Sequence, residues 1–125
     1  SPWHKAPAAA LRGRELAVEM LGVLDAESTV PSLRQALRDS ERDVRRGAAQ
    51  ALGRKLVRTA LQALLDSLTD SDAEVRSTGM HSISQVVGGL RHRGDQQADG
   101  IVLGPLDRIA QGVKRNSITQ PEMLT

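Results

Sequence analysis

The sequence of 125 residues contains no cysteine, no phenylalanine and no tyrosine, and its single tryptophan is Trp3. Without cysteine, the chain has no disulfide framework, no thiolate metal site and no thiol nucleophile. A core without aromatic rings must be built from thin layers of aliphatic side chains. Since β-sandwiches normally draw on aromatic as well as β-branched residues, the composition favours an all-α fold.

A strong charge imbalance and a long apolar run are also lacking. The chain has 17 basic and 15 acidic residues, a net charge of +2, which is weak support for a nucleic-acid partner. No run approaches the roughly 18 apolar residues of a membrane span, and no signal-peptide core opens the chain. We expect a protein that does not enter membranes, with a cytoplasmic location as the working expectation. The lack of cysteine leaves the compartment open.

An internal repeat is the strongest pattern in the sequence. Shifting the chain against itself by 31 residues places Asp39 on Asp70 and Arg45 on Arg76, and the reverse shift places Arg45 on Arg14. One offset therefore relates three segments. The same offset also pairs Leu33 with Leu64, Leu37 with Leu68, Val44 with Val75, Leu52 with Ile83, and Leu52-Gly53 with Leu21-Gly22.

Each unit is predicted to form two helices, because its apolar residues recur at helical spacing on either side of an Asp-rich turn. The predicted pairs are about 30–38 with 43–56 and about 60–68 with 74–87, and the first unit shows only a second helix, about 8–24. The predicted architecture is an all-α, short α-solenoid of antiparallel helix pairs. It has about two and a half repeats and a C-terminal capping helix.

These residues resemble the short HEAT-like repeats of phycobilin lyase-type proteins, over roughly residues 8–89. The resemblance implies an α-solenoid, and by analogy a tetrapyrrole-handling subunit as one functional alternative. The third unit departs from the family pattern at Gly79 and Ser84. The residues that carry the pattern are Leu37, Asp39, Val44-Arg45, Ala48-Ala49 and Leu52-Gly53, followed by Leu68, Asp70, Val75-Arg76 and Ile83.

The end of the chain breaks the repeat. A polar, glycine-rich stretch suggests a flexible connector, and Leu106, Ile109 and Val113 then share one helical face that begins near Pro105. We predict a HEAT-like repeat domain over 1–89, a flexible connector over 90–100, a capping helix over 101–116 and a tail over 117–125.

One arginine recurs in every unit, as Arg14, Arg45 and Arg76. We predict that these arginines form a structural ladder with the turn carboxylates, such as Asp39 and Asp70, of neighbouring units. A basic track for phosphates is the alternative. Because the family resemblance supports the structural role, Arg45→Ala should destabilise the domain.

A second set of residues is the candidate partner surface, since the second helices of solenoids usually line the binding face. Positive charge does not continue along the stack at the equivalent positions, which disfavours a nucleic-acid track. The predicted surface comprises Arg46, Gln50, Arg54, His81 and Gln85.

No constellation for catalysis, metal binding or a cofactor stands out in the sequence. The predicted function is a non-catalytic protein-binding scaffold, as a fragment or module of a larger protein, with no cofactor. The open N-terminal end of the stack is expected to bind a protein partner or to self-associate. A nucleic-acid-binding HEAT-like module and a tetrapyrrole lyase-type subunit remain the alternatives.

Overall fold

A computed structural model describes residues 8–24 and 27–123 of the chain. Within these ranges all regular structure is helical and no strand occurs, which confirms the all-α prediction. Two short 3-10 turns precede α2 and follow α4. The helices are α1 (Ala8–Val23), α2 (Val30–Ala36), α3 (Arg42–Leu52), α4 (Arg58–Leu65), α5 (Ala73–His92) and α6 (Ala98–Met123).

The helices stack in two layers. The back layer is α1, α3 and α5, each packed on the next, and the front layer is α2, α4 and α6. Each front helix also packs on the back helix of its own unit, so α2 pairs with α3 and α4 with α5. The aliphatic positions of the repeat fill the space between the layers. Among the buried residues are Leu33, Val44, Leu52, Leu61, Leu64, Val75 and Ile83.

The turn before α5 illustrates how the polar breaks start the back helices. Asp72 is the N-cap residue of α5, and its Oδ1 accepts hydrogen bonds from the backbone N–H of Glu74 at 2.9 Å and of Val75 at 3.2 Å. These bonds satisfy N–H groups that have no partner within the helix. Further along α5, a Cβ on Gly79 would lie 1.8 Å from the Ser67 Oγ, so a small residue is required for this close approach.

The predicted connector over 90–100 is wrong in its bounds, because α5 continues to His92 and α6 begins at Ala98. Gly89 does not break the helix. It makes room for Leu56, whose Cδ2 would lie 2.5 Å from an added Cβ. The helix is terminated instead by Gly94, two residues after its last residue, which has a φ of +88° and an N–H that donates to Arg91 O at 2.9 Å. This is the usual glycine-terminated helix end.

The predicted bounds of the last helix, 101–116, are wrong at both ends. Ala98 and Val102 are buried against the stack, so the helix begins before the predicted position. Pro105 therefore lies inside the helix, where it has no N–H to donate. No strong helix breaker follows until Pro121, and α6 runs to Met123. The predicted tail over 117–125 is therefore helical up to that residue. The division of the chain into domains remains a prediction.

One helix face at the N-terminal end of the stack has no described neighbour. It belongs to α1, for which the described residues include no front-layer helix of the same unit. We call the exposed apolar residues of this face of α1 the α1 stripe: Leu16, Met20, Val23 and Leu24.

None of the described helices is both long and apolar enough to cross a lipid bilayer. Trp3 lies outside the described residues.

Candidate functional site

The recurring arginines occupy equivalent places, and Arg45 makes the most complete set of contacts. Its Nε and Nη2 donate to the two carboxylate oxygens of Asp70 at 2.9 and 3.2 Å, while Nη1 donates to the backbone carbonyls of Asp39 at 3.0 Å and Ser40 at 3.2 Å. Arg45 therefore joins the turn of its own unit to the turn of the next. Asp70 in addition accepts a bond from the Asp72 N–H at 2.9 Å, which fixes the turn.

The ladder weakens toward both ends of the stack. Arg14 lies beside Asp39, with its Nε 3.1 Å from Oδ2, but that N–H is not directed at the oxygen and the hydrogen bond runs from Nη2 to Oδ1 at 3.4 Å. Arg76 donates from Nη1 to Asp70 O at 2.7 Å. Among the described residues, no carboxylate occupies the place beside Arg76 that Asp70 has beside Arg45. These residues thus hold consecutive turns in register.

A groove of about 490 Å³ runs between α3 and α5 on the back layer. It contains all five residues that the sequence predicts as a partner surface. Its two walls are built from the same three positions of the repeat. Arg46 and Gln50 on α3, with Arg54 in the turn just after it, are equivalent to Ser77, His81 and Gln85 on α5 at the offset of 31 residues. We call this the back groove. It is lined by Arg46, Gln50, Arg54, Ser77, Thr78, His81, Ser82 and Gln85.

The two walls differ in charge. Arg46 on α3 and Arg54 in the turn after it are exposed, and within the described part of the chain neither forms an ion pair or a side-chain hydrogen bond. The α5 wall carries hydroxyl, imidazole and amide groups and no carboxylate. The other side of α3 faces α1, where Glu15 and Glu19 line a neighbouring groove. The positive side chains therefore stand between a neutral polar wall and an acidic one.

The floor of the back groove contains a residue that the sequence analysis missed. Ser82 is 1% exposed, and a Cβ on Gly53 would lie 2.6 Å from its Oγ. Within the described residues, the Ser82 hydroxyl forms no hydrogen bond, and it is not among the fully enclosed polar atoms that lack a partner. Its repeat equivalent is Ala51, so the pattern indicates a core position. In the sequence, the one indication that Ser82 differs from a core residue is that a serine stands where the repeat has an apolar residue.

Other ion pairs hold the stack together without lining the back groove. Arg58 at the start of α4 donates from Nε to Asp95 at 2.7 Å. This hydrogen bond lowers the pKa of the Asp95 carboxyl below its ordinary value, and a second, smaller contribution comes from the hydrogen bond that the Gln97 N–H donates to it. The buried Lys55 donates from Nζ to the carbonyl of Leu24 at the end of α1. The first contact joins the start of α4 to the loop between α5 and α6, and the second joins the C-terminal ends of α1 and α3 in successive units.

The described part of the chain contains no candidate metal centre. There, no group of three or more His, Cys, Asp or Glu residues is placed to hold a metal ion. What the back groove offers is positive charge together with unpartnered hydrogen-bonding groups, an arrangement suited to recognition of a polar ligand.

Comparison with known proteins identifies a repeat family. The family model of HEAT repeats matches residues 7–84, which is more than half of the chain and takes in α1 through most of α5. No curated protein matches the sequence. The match supports a HEAT-like repeat. The resemblance to the phycobilin lyase type remains a prediction.

Proposed function

The chain belongs to the HEAT repeat family, and on that basis we propose that it is a non-catalytic scaffold that binds a partner protein in the back groove. HEAT repeats typically bind protein partners, and stacked repeats present an extended surface for this purpose. The specific support is that Arg46, Gln50 and Arg54 face Ser77, His81 and Gln85 with no side-chain bond among the described residues.

A blocking substitution tests this function without knowledge of the partner. Gln50 is exposed at the middle of the α3 wall, and Gln62 is exposed on the front helix α4. Gln50→Trp fills the groove, whereas Gln62→Trp makes the same chemical change in the other layer. A partner protein is first captured from cell extract by the wild-type chain and then purified. We expect its affinity for the Gln50→Trp chain to fall, while its affinity for the Gln62→Trp chain stays at the wild-type value. Equal binding to both variants would refute the back groove as the site.

The α1 stripe is the second surface in this proposal. Leu16, Met20, Val23 and Leu24 are 48–66% exposed, and contiguous exposed apolar side chains indicate an interaction surface. We propose that the stripe self-associates with a second copy of the chain, since the same helix face can pack on itself about a two-fold axis. Sedimentation equilibrium tests this: Met20→Glu should shift a concentration-dependent dimer to monomer. A wild-type chain that stays monomeric at all concentrations contradicts it.

The alternative functions predict different measurements. A nucleic-acid-binding module should bind DNA with a steep dependence on salt, and a tetrapyrrole-handling subunit should shift the absorbance of an added bilin. A scaffold with a protein partner should do neither. The cytoplasmic location also remains a prediction, which fluorescence microscopy of the tagged chain tests.

A further inference from the structure

The back groove contains two arginines at a defined separation. Arg46 lies on α3, and Arg54 lies eight residues further along the chain, in the turn that follows this helix. At a helical rise of 1.5 Å per residue the separation is about 12 Å. Gln50 lies one turn from each, on the same wall. An extended peptide rises about 3.3–3.6 Å per residue and returns a side chain to the same side every second residue. Side chains at positions i and i+4 of such a peptide are therefore about 13–14 Å apart.

The groups between and opposite the arginines suit a peptide backbone. Gln50 and Gln85 each carry a donor and an acceptor in one side chain, which is what a peptide group requires. The Ser82 hydroxyl lines the floor of the groove and forms no hydrogen bond within the described residues, so it is available to a carbonyl of a bound peptide.

We propose that the back groove binds an extended protein segment that carries two carboxylates four residues apart, one at Arg46 and one at Arg54. This proposal rests on the proposed function and names the chemistry of its partner. Each arginine can bind a carboxylate through two N–H groups. Gln50 and Gln85 bond the intervening backbone, and the Ser82 hydroxyl donates to a carbonyl of the segment.

The surrounding charges favour a short acidic segment over a nucleic acid. A phosphate backbone would have to continue past α3 in both directions. On the α1 side it would meet Glu15 and Glu19, and on the α5 side the groove offers no side chain with a permanent positive charge among its lining residues. A segment with only two carboxylates needs no positive charge beyond Arg46 and Arg54 on one wall.

The first experiment measures peptide binding by fluorescence anisotropy. The probe is a labelled twelve-residue peptide of glycine, serine and threonine with two glutamates four residues apart. We expect Arg46→Gln and Arg54→Gln each to weaken binding about fivefold, the upper end for an exposed ion pair. The matched control is Arg38→Gln, which removes an exposed arginine from the turn that follows the front helix α2 and should leave the affinity unchanged.

Two further peptides test the geometry and the charge. One carries the same two glutamates side by side, and the other carries glutamines in their place. Both should bind more weakly than the first peptide. Equal binding of all three would overturn the proposal. So would a single-stranded oligonucleotide that binds more tightly with a steep salt dependence and displaces the peptide.

Ser82→Ala provides a readout that separates binding from folding. Because Ser82 has no hydrogen bond to lose among the described residues, the melting temperature should stay unchanged while the peptide binds about threefold more weakly. Unchanged peptide affinity would overturn the role of Ser82. If Gln50→Trp abolishes binding of a captured protein but the acidic peptide never binds, the proposed function stands and this inference fails.

Discussion

Arg45 and Asp70 are joined by two parallel hydrogen bonds, Nε to Oδ2 at 2.9 Å and Nη2 to Oδ1 at 3.2 Å, across the boundary between two repeats. Their side chains are only 15% and 9% exposed, so water screens the pair weakly. The same arginine holds the carbonyls of Asp39 and Ser40. One side chain therefore sets the register of consecutive units.

Arg45→Ala should destabilise the domain by about 2–4 kcal/mol, because it leaves the Asp70 carboxylate poorly solvated and without its cation. Urea denaturation followed by circular dichroism measures the free energy of unfolding. The neighbouring Arg46, which is exposed and unpaired in the described part of the chain, is the matched control, and Arg46→Ala should change stability by less than about 0.5 kcal/mol. An unchanged melting temperature for Arg45→Ala would refute its role.

The other two ladder arginines should matter less, in a defined order. Arg14 has one long hydrogen bond to Asp39, and Arg76 has a single bond to the carbonyl of Asp70. We expect Arg76→Ala to cost about 0.5–1 kcal/mol, the value of one hydrogen bond, and Arg14→Ala to lie between Arg76→Ala and Arg45→Ala. The same denaturation experiment ranks the three variants. Equal losses of unfolding free energy in the three variants would mean that the contacts with carboxylates do not determine how much each arginine stabilises the domain.

The close approach at Gly79 predicts a steric cost. A Cβ there would lie 1.8 Å from the Ser67 Oγ and 2.9 Å from its Cβ, so Gly79→Ala should lose about 1–3 kcal/mol from overpacking. Ser67→Gly in the same chain should recover part of that loss, which a double-mutant cycle measures. Gly88 is the matched control, since it lies on the same helix with no atom within 4 Å of an added Cβ.

Gly88→Ala should stabilise the domain by up to about 1 kcal/mol, because alanine is the better helix former. If Gly79→Ala and Gly88→Ala had the same effect, helix propensity alone would explain both. The close packing between α5 and the turn that contains Ser67 would then make no measurable contribution to the effect of Gly79→Ala on stability.

The pair of Arg58 and Asp95 predicts a dependence on pH. The hydrogen bond from Arg58 lowers the pKa of the Asp95 carboxyl in the folded protein. A carboxyl with a lowered folded pKa contributes stability in full above its unfolded pKa of about 3.9 and loses it as the pH falls through the folded value. We therefore expect Asp95→Asn to be less stable than wild type at neutral pH, with a difference that narrows below about pH 4. Urea denaturation at a series of pH values measures this, and a constant difference contradicts it.

The repeat period predicted the fold because aliphatic side chains at a fixed interval leave each helix pair one way to bury its apolar face. It could not predict where α5 ends. Gly89 looks like a helix breaker in sequence, but in the structure it accommodates Leu56, a contact between residues 33 positions apart. The start of α6 depends likewise on burial of Ala98 against the stack. Local patterns do not contain such tertiary contacts.

The candidate site was predictable where the repeat places equivalent residues on facing helices. Aligning the units brings Gln50 opposite His81 and Arg54 opposite Gln85, and the structure places these pairs across one groove. Ser82 was not predictable in this way, since position 82 falls in the apolar register. The pairing of Arg58 with Asp95 also lies outside the offset of 31 residues. This pair forms because the chain between α5 and α6 brings Asp95 to the start of α4.

Recognition of a protein segment in the back groove is most directly tested by an NMR titration of the nitrogen-15-labelled chain with the two-glutamate peptide. We predict that the largest shifts appear at the side-chain amides of Gln50 and Gln85 and at the backbone N–H of Ser82, while Gln35 and Gln62 on the front helices stay unchanged. Shifts confined to the front layer or to α1, or none at saturating peptide, would contradict the account.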